Sequence, residues 1–239
     1  MIQPTLPRRF VAEFTGTAFL LIAIVGSGIM GERLAGGNAA IALLANILSV
    51  GAALVAMIST FGGISGAHFN PAVTVCDAIC GGLAWRDAPF YITAQIAGAF
   101  LGVGAANLMF DLPVFFASNR VRAGGPLLLS EFVATFGLLA VIWGCVRLRS
   151  AGVPFVVAAY IVAACWFTAS TSFANPAVTL ARSMSDTFAG IRPVDVWGFI
   201  IAQMLGAIAA TFLFHWLVPI TAKDARAVVL PRVEDDKDL

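Results

Sequence analysis

The sequence predicts an all-α membrane protein: six transmembrane helices and two re-entrant half-helices, arranged as an inverted repeat. Three observations predict it. The chain of 239 residues is 60% hydrophobic and only 11% charged, with a mean hydropathy of +0.93, far more apolar than a soluble domain. Its apolar runs reach the length a bilayer demands, since a hydrocarbon core of about 30 Å takes about 20 residues of helix. The chain also repeats itself: AEFTGTAFLL with Glu13 is echoed by SEFVATFGLL with Glu131, SGAHFNPAVT by TSFANPAVT, and AQIAGA with Gln95 by AQMLGA with Gln203, all in the same order. Each half therefore supplies three spans, and because three is odd the second half enters the membrane from the opposite side.

The elements follow in chain order from apolar runs bounded by charges, Gly and Pro. The first span covers Phe10 to Met30. Arg8 and Arg9 before it imitate a signal peptide, but Glu13 lies inside the run and no small-x-small cleavage site stands around Gly26 to Gly31, so it reads as a retained span. The second covers Asn38 to Thr60 and the third Ala88 to Phe110. The fourth covers Leu127 to Arg147, the fifth Val153 to Thr171 and the sixth Val194 to Leu217. Between them, helices starting at Asn70 and Asn175 are too short to cross. At about a dozen residues each would be about 18 Å long, enough for half the hydrocarbon thickness.

With the amino terminus inside, the cytoplasmic face receives Arg8, Arg9, Arg86, Arg147, Arg149, Lys223, Arg226, Arg232 and Lys237. The outer face receives Arg33, Arg120, Arg122, Arg182 and Arg192. Nine against five obeys the positive-inside rule and puts both termini in the cytoplasm. A net charge of +1 gives no footprint for nucleic acid. Cys76, Cys80, Cys145 and Cys165 all lie in apolar stretches and read as small hydrophobes. Cys76 and Cys80 share a helix face, but no third ligand accompanies them, so neither a metal site nor a cofactor is expected.

The chemistry of a pore enters with Asn70-Pro71-Ala72 and Asn175-Pro176-Ala177, one triplet in each half. Asn is a favoured helix N-cap, and Pro fits the first helical position because its missing N–H costs nothing there. Inverted symmetry brings the two helix starts together near the bilayer midplane. If each Asn oxygen accepts a cap bond, its amide group is left pointing into the pore as a donor. The facing positive dipole ends then oppose cations and protons.

Duplicated NPA triplets in an inverted six-span repeat resemble the aquaporin and glycerol-facilitator superfamily, over nearly the whole chain from Glu13 to Gln203. The resemblance implies an aquaporin-like channel domain over residues 1–220, with repeat one at 8–112, repeat two at 126–218 and a charged cytoplasmic tail at 221–239. It also implies a homotetramer with one pore per protomer. Glu13 and Glu131 occupy matching places in the first and fourth spans, and intramembrane carboxylates are costly enough to require a task. In the family they brace the re-entrant loops; a proton relay is the other reading. His68, two residues before Asn70, reads likewise as a satisfied, loop-bracing residue, with a titrating gate as the other reading.

The outer filter departs from the family pattern. Most members carry an Arg three residues after the second NPA Asn, where this chain has Val178. Spacing from the two Asn residues carries the other filter positions to Val50, Ala163 and Ser172. Small side chains widen a pore, so solutes larger than water are expected. Arg182, one helical turn beyond Val178, either restores the missing positive charge, snorkels to the interface or pairs with Asp186. NPAVTLAR with Val for Arg looks most like bacterial aquaglyceroporins associated with arsenic resistance, which implies arsenite and antimonite hydroxides besides polyols. The expected function is a passive channel in the cell membrane, a bacterial inner membrane, for small neutral solutes and not an enzyme. A water-selective pore and a proton-coupled transporter using Glu13 or Glu131 are the alternatives.

Overall fold

The computed structural model describes residues 4–147 and 152–218. Among these, the long apolar runs form α1 (Leu6–Leu34), α2 (Ala39–Ser65), α4 (Ala88–Met109), α5 (Gly125–Arg147) and α8 (Val196–Leu217), with the short α3 (Pro71–Cys80), α6 (Val153–Phe167) and α7 (Pro176–Arg182) between them. A 3-10 turn, Pro193–Asp195, leads into α8. With this turn included in the last, five helices are long and apolar enough to cross a bilayer. Their outward faces carry large apolar side chains such as Phe19, Leu48, Leu101 and Phe212, which suits lipid as solvent. The tail expected at 221–239, the domain end at 220 and the charge of Arg149 lie outside the described residues.

Packing repeats between the halves. α1 lies against α4, and α5 against α8. Both contacts depend on a glycine: a Cβ at Gly98 would stand 2.2 Å from the Phe14 carbonyl oxygen, and one at Gly206 2.3 Å from that of Phe132. The repeated AQ-x-x-GA sequence thus marks where two helix backbones touch, as small residues permit in membranes.

Two elements are shorter than the sequence predicts. The fifth span ends at Phe167 and not Thr171, because the backbone turns extended at Thr168, whose hydroxyl caps the Ala164 carbonyl at 2.6 Å. The residues that follow enter the second re-entrant loop. The second half-helix has seven residues where about a dozen are expected. It stops because Ser183 turns its hydroxyl back to the Leu180 carbonyl, while the Ser183 and Met184 carbonyls accept N–H bonds from Ser118 and Phe116. The first half-helix, of ten residues, closes at Gly81, whose left-handed φ of 80° lets Gly82 bond back to Asp77.

Candidate functional site

Each half-helix begins as its sequence requires. Asn70 caps α3 by accepting from the Ala72 N–H at 2.9 Å, and Asn175 caps α7 by accepting from Ala177 at 3.0 Å and Val178 at 3.3 Å. Both amide ends, expected above to be free for a solute, are only partly so. Asn70 Nδ2 donates to the Ala174 carbonyl at 2.8 Å, and Asn175 Nδ2 donates to the Phe69 carbonyl at 2.8 Å. Each amide group carries two N–H bonds. One is spent in tying the two halves together, which leaves one on each Asn for a passing oxygen.

A buried polar frame stands behind each loop. Glu13 accepts from Ser65 Oγ, the His68 and Phe69 N–H groups and Gln95 Nε2. Glu131 accepts from the Phe173 and Ala174 N–H groups and Gln203 Nε2. Both glutamates are 0% exposed, so these donors take the place of water. The frame continues in parallel. Gln95 donates to Thr74 at 2.9 Å and Gln203 to Thr179 at 2.8 Å, and each threonine hydroxyl donates to the carbonyl of its own cap Asn. Ala67 and Phe69 in one loop, and Ser172 and Ala174 in the other, hold positive φ of 48° to 49°. Such backbone is strained for L side chains and persists because the glutamates fix the N–H groups around it.

A cavity of about 80 Å³ runs past both Asn residues. Val50, His68, Val73, Phe173 and Val178 line it, together with Leu20 and Ile24 of α1 and Leu138 and Ile142 of α5. Of the positions carried over for the filter, Val50 and Val178 line the cavity. Ala163 does not; it is exposed on the outside of α6. The cavity-lining residues of that helix are Val157 and Ile161, and two further residues rotate the side chain by about 200°. Cys165 continues the inward line and is buried. Ser172 is buried but absent from the cavity wall; its neighbour Phe173 supplies the wall there.

Arg182 neither snorkels nor pairs with Asp186. It is 7% exposed, its Nε donates to the Ala189 carbonyl, and its guanidinium lies 3.3 Å from the centre of the Phe173 ring. Asp186 instead accepts from the Asn119 N–H and side chain, both at 3.0 Å. The residue that answers Arg182 in the first half is Asp77, also seven beyond its Asn. Asp77 Oδ2 lies 3.5 Å from His68 Nε2, and His68 answers Phe173. His68 therefore braces through its backbone, while its ring turns to Thr74 and Asp77, with Nδ1 held 3.1 Å from Thr74.

The major intrinsic protein family model matches residues 1–153 and 145–235. The chain belongs to that family. Its members are channels of the membrane for small solutes, and the paired helix starts around one cavity fit that use. Among its relatives, aquaglyceroporin AqpS of Rhizobium meliloti is 53% identical over 213 residues, covering 89% of this chain and 91% of the relative. Aquaporin NIP1-1 of Oryza sativa subsp. japonica is 31% identical, covering 92% and 78%. The solved structure of the aquaglyceroporin from Plasmodium falciparum superposes with a TM-score of 0.67 at 20% identity, covering 90% of this chain and 98% of that one, and shows the same fold.

Sequence reasoning missed several residues of this family member's cavity. Leu20 and Ile24 stand seven and eleven beyond Glu13, as Leu138 and Ile142 stand beyond Glu131, so aligning the repeats on the glutamates would have found them. The same alignment on the Asn residues exposes the pairs His68/Phe173 and Asp77/Arg182. The Phe69 and Ala174 carbonyls carry no sequence signal, because any residue has one.

Proposed function

We propose that this chain is a passive channel for small uncharged solutes, glycerol-like polyols first, with water and arsenite or antimonite hydroxides as further cargo. The observation that carries this reading is the wall of the cavity. Val50, Val73 and Val178 line it with other aliphatic side chains, and Val178 occupies the place of the family's filter arginine. A carbon backbone slides along such a wall, while the free N–H of Asn70 and of Asn175 offers its hydroxyls a partner midway. The name of the relative from Rhizobium meliloti, an aquaglyceroporin, supports the same solute class.

In this reading residues 8–112 and 126–218 are two repeats of one channel domain, with both termini in the cytoplasm of a bacterial inner membrane. Protomers assemble as a homotetramer with one pore each. Glu13, Glu131 and the His68 backbone brace the loops; the donors filling both carboxylates support that role over proton coupling. Arg182 acts on the filter from behind Phe173.

Glycerol uptake by proteoliposomes holding the full chain tests the proposal. Uptake well above protein-free vesicles, following the gradient to equilibrium, is the expected result. Fast water flow with glycerol excluded refutes it and favours a water-selective pore.

A further inference from the structure

The chain lacks the filter arginine at position 178, and two other arginines converge on the same wall. Arg182 reaches the Phe173 ring from α7, at 3.3 Å from the ring centre. Arg122 reaches it from the loop between α4 and α5, at 4.9 Å. Arg122 is clamped in place: Nε donates to the Gly190 carbonyl at 2.8 Å and Nη1 to the Ser170 carbonyl at 3.2 Å, while its own N–H is held by Asp195 at 2.9 Å. Phe173 in turn lines the cavity. Both guanidiniums thus sit one aromatic ring away from the solute path.

Neither is neutralised by an ion pair among the described residues. Asp195 spends its carboxylate on the Arg122 N–H and on the Arg192 guanidinium, and Asp186 on Asn119. The Glu131 carboxylate is occupied by the Phe173 and Ala174 N–H groups and Gln203 Nε2, and it is one group against two guanidiniums. Burial lowers the pKa of Arg122 to about 10, which still leaves it charged at neutral pH.

We propose that Arg122 is a specificity-determining residue: with Arg182 it forms a guanidinium–phenyl–guanidinium cluster that takes over cation exclusion from the missing filter arginine. This rests on the channel reading above and adds the device that lets an aliphatic filter stay closed to cations. An unpaired unit charge about 8 Å from the path, at an effective dielectric of about 20, changes cation passage by about thirtyfold. Two such charges suffice without any side chain narrowing the pore.

The test compares potassium efflux with glycerol flux in the same proteoliposomes, for the full chain and for Arg122→Gln, Arg182→Gln, both together, Arg122→Lys and Arg182→Lys. Each Gln variant is expected to raise the ratio of potassium to glycerol passage by about thirtyfold, and the double variant to raise it further. The Lys variants, which keep the charge and lose the fork, stay near wild type. A conducting double Gln variant with the wild-type ratio overturns the proposal, as does a Lys variant that leaks like its Gln counterpart. If the Gln variants do not fold, wild-type channels in a potassium chloride gradient decide: residual leak carrying chloride over potassium is expected, and the reverse preference overturns it. A wild type that passes water but no glycerol refutes the polyol reading alone, and the leak is then read per unit of water flux.

Discussion

The first and second re-entrant segments share one plan as far as the cap, the valine three residues on and the threonine after it. Among the positions at which they part, two meet each other in space. Two residues before the cap stand His68 and Phe173, and seven after it stand Asp77 and Arg182. In each segment these two side chains touch, His68 on Asp77 at 3.5 Å and Phe173 under Arg182 at 3.3 Å. The same contact is therefore made with opposite charge at the two ends of the cavity. Duplication fixed the framework that holds the loops, and divergence reversed the charge behind them. A channel wall can be polarised in this way without disturbing the cross-tied Asn residues.

The largest expected effects fall on the shared frame. Glu13→Ala strands four donors and Glu131→Ala three, each stranded donor costing about 1–3 kcal/mol when buried. Thermal unfolding in detergent and glycerol flux should both suffer, Glu13→Ala more than Glu131→Ala. Equal losses would show that the extra donor, Ser65, contributes nothing and that the two frames are interchangeable.

A size exchange offers the next test. Phe69 of the first loop packs on Gly16, where an added Cβ would come within 2.1 Å of its ring. The matching positions of the second repeat are Ala174 and Ala134. Gly16→Ala alone overfills the site, a change that costs about 1–3 kcal/mol. Gly16→Ala with Phe69→Ala gives the first repeat the residues of the second. The double variant should recover part of the unfolding temperature lost by Gly16→Ala; no recovery would mean that the two loops are not equivalent in shape.

Charge asymmetry makes an opposite forecast for one substitution at matching sites. Val178→Arg places a guanidinium one turn from Arg182, a like-charge neighbour, so the new side chain is driven toward the cavity. Val73→Arg places it one turn from Asp77, which can pair with it. Glycerol uptake should fall about tenfold or more in Val178→Arg, about 1.4 kcal/mol in barrier. Val73→Arg should fall less. A larger loss at position 73 would break the assignment of opposite polarity to the two ends.

Much of this was legible in the sequence for a physical reason: helix caps, buried carboxylates and close-packed glycines are local demands that a repeat states twice. Asn70, Asn175, Glu13 and Glu131 stand out on that ground. Ala163 went astray because linear spacing from a cap says nothing of rotation about a helix that starts elsewhere. The length of α7 was hidden because its stop depends on Ser118 and Phe116, from a loop far along the chain. Arg122 was readable only as an outer charge, since its place beside Phe173 follows from the path of that same loop.

The loop carrying Arg122 supplies the smallest effect. Asp186 pins it through the Asn119 N–H, the Asn119 side chain and Ser118. Those bonds, the Asn119 N–H foremost, hold the Asp186 carboxyl below its ordinary value of 3.8. A carboxyl whose folded pKa is depressed adds stability that is present above its unfolded pKa and lost as pH falls through the folded one. The wild type should therefore unfold at a slightly higher temperature than Asp186→Asn at neutral pH. That gap should stay constant down to about pH 4 and close below it, because the protonated wild type then resembles the amide. A gap that persists unchanged in stronger acid would mean that Asp186 holds the loop by shape and not by charge, and that Arg122 is positioned without it.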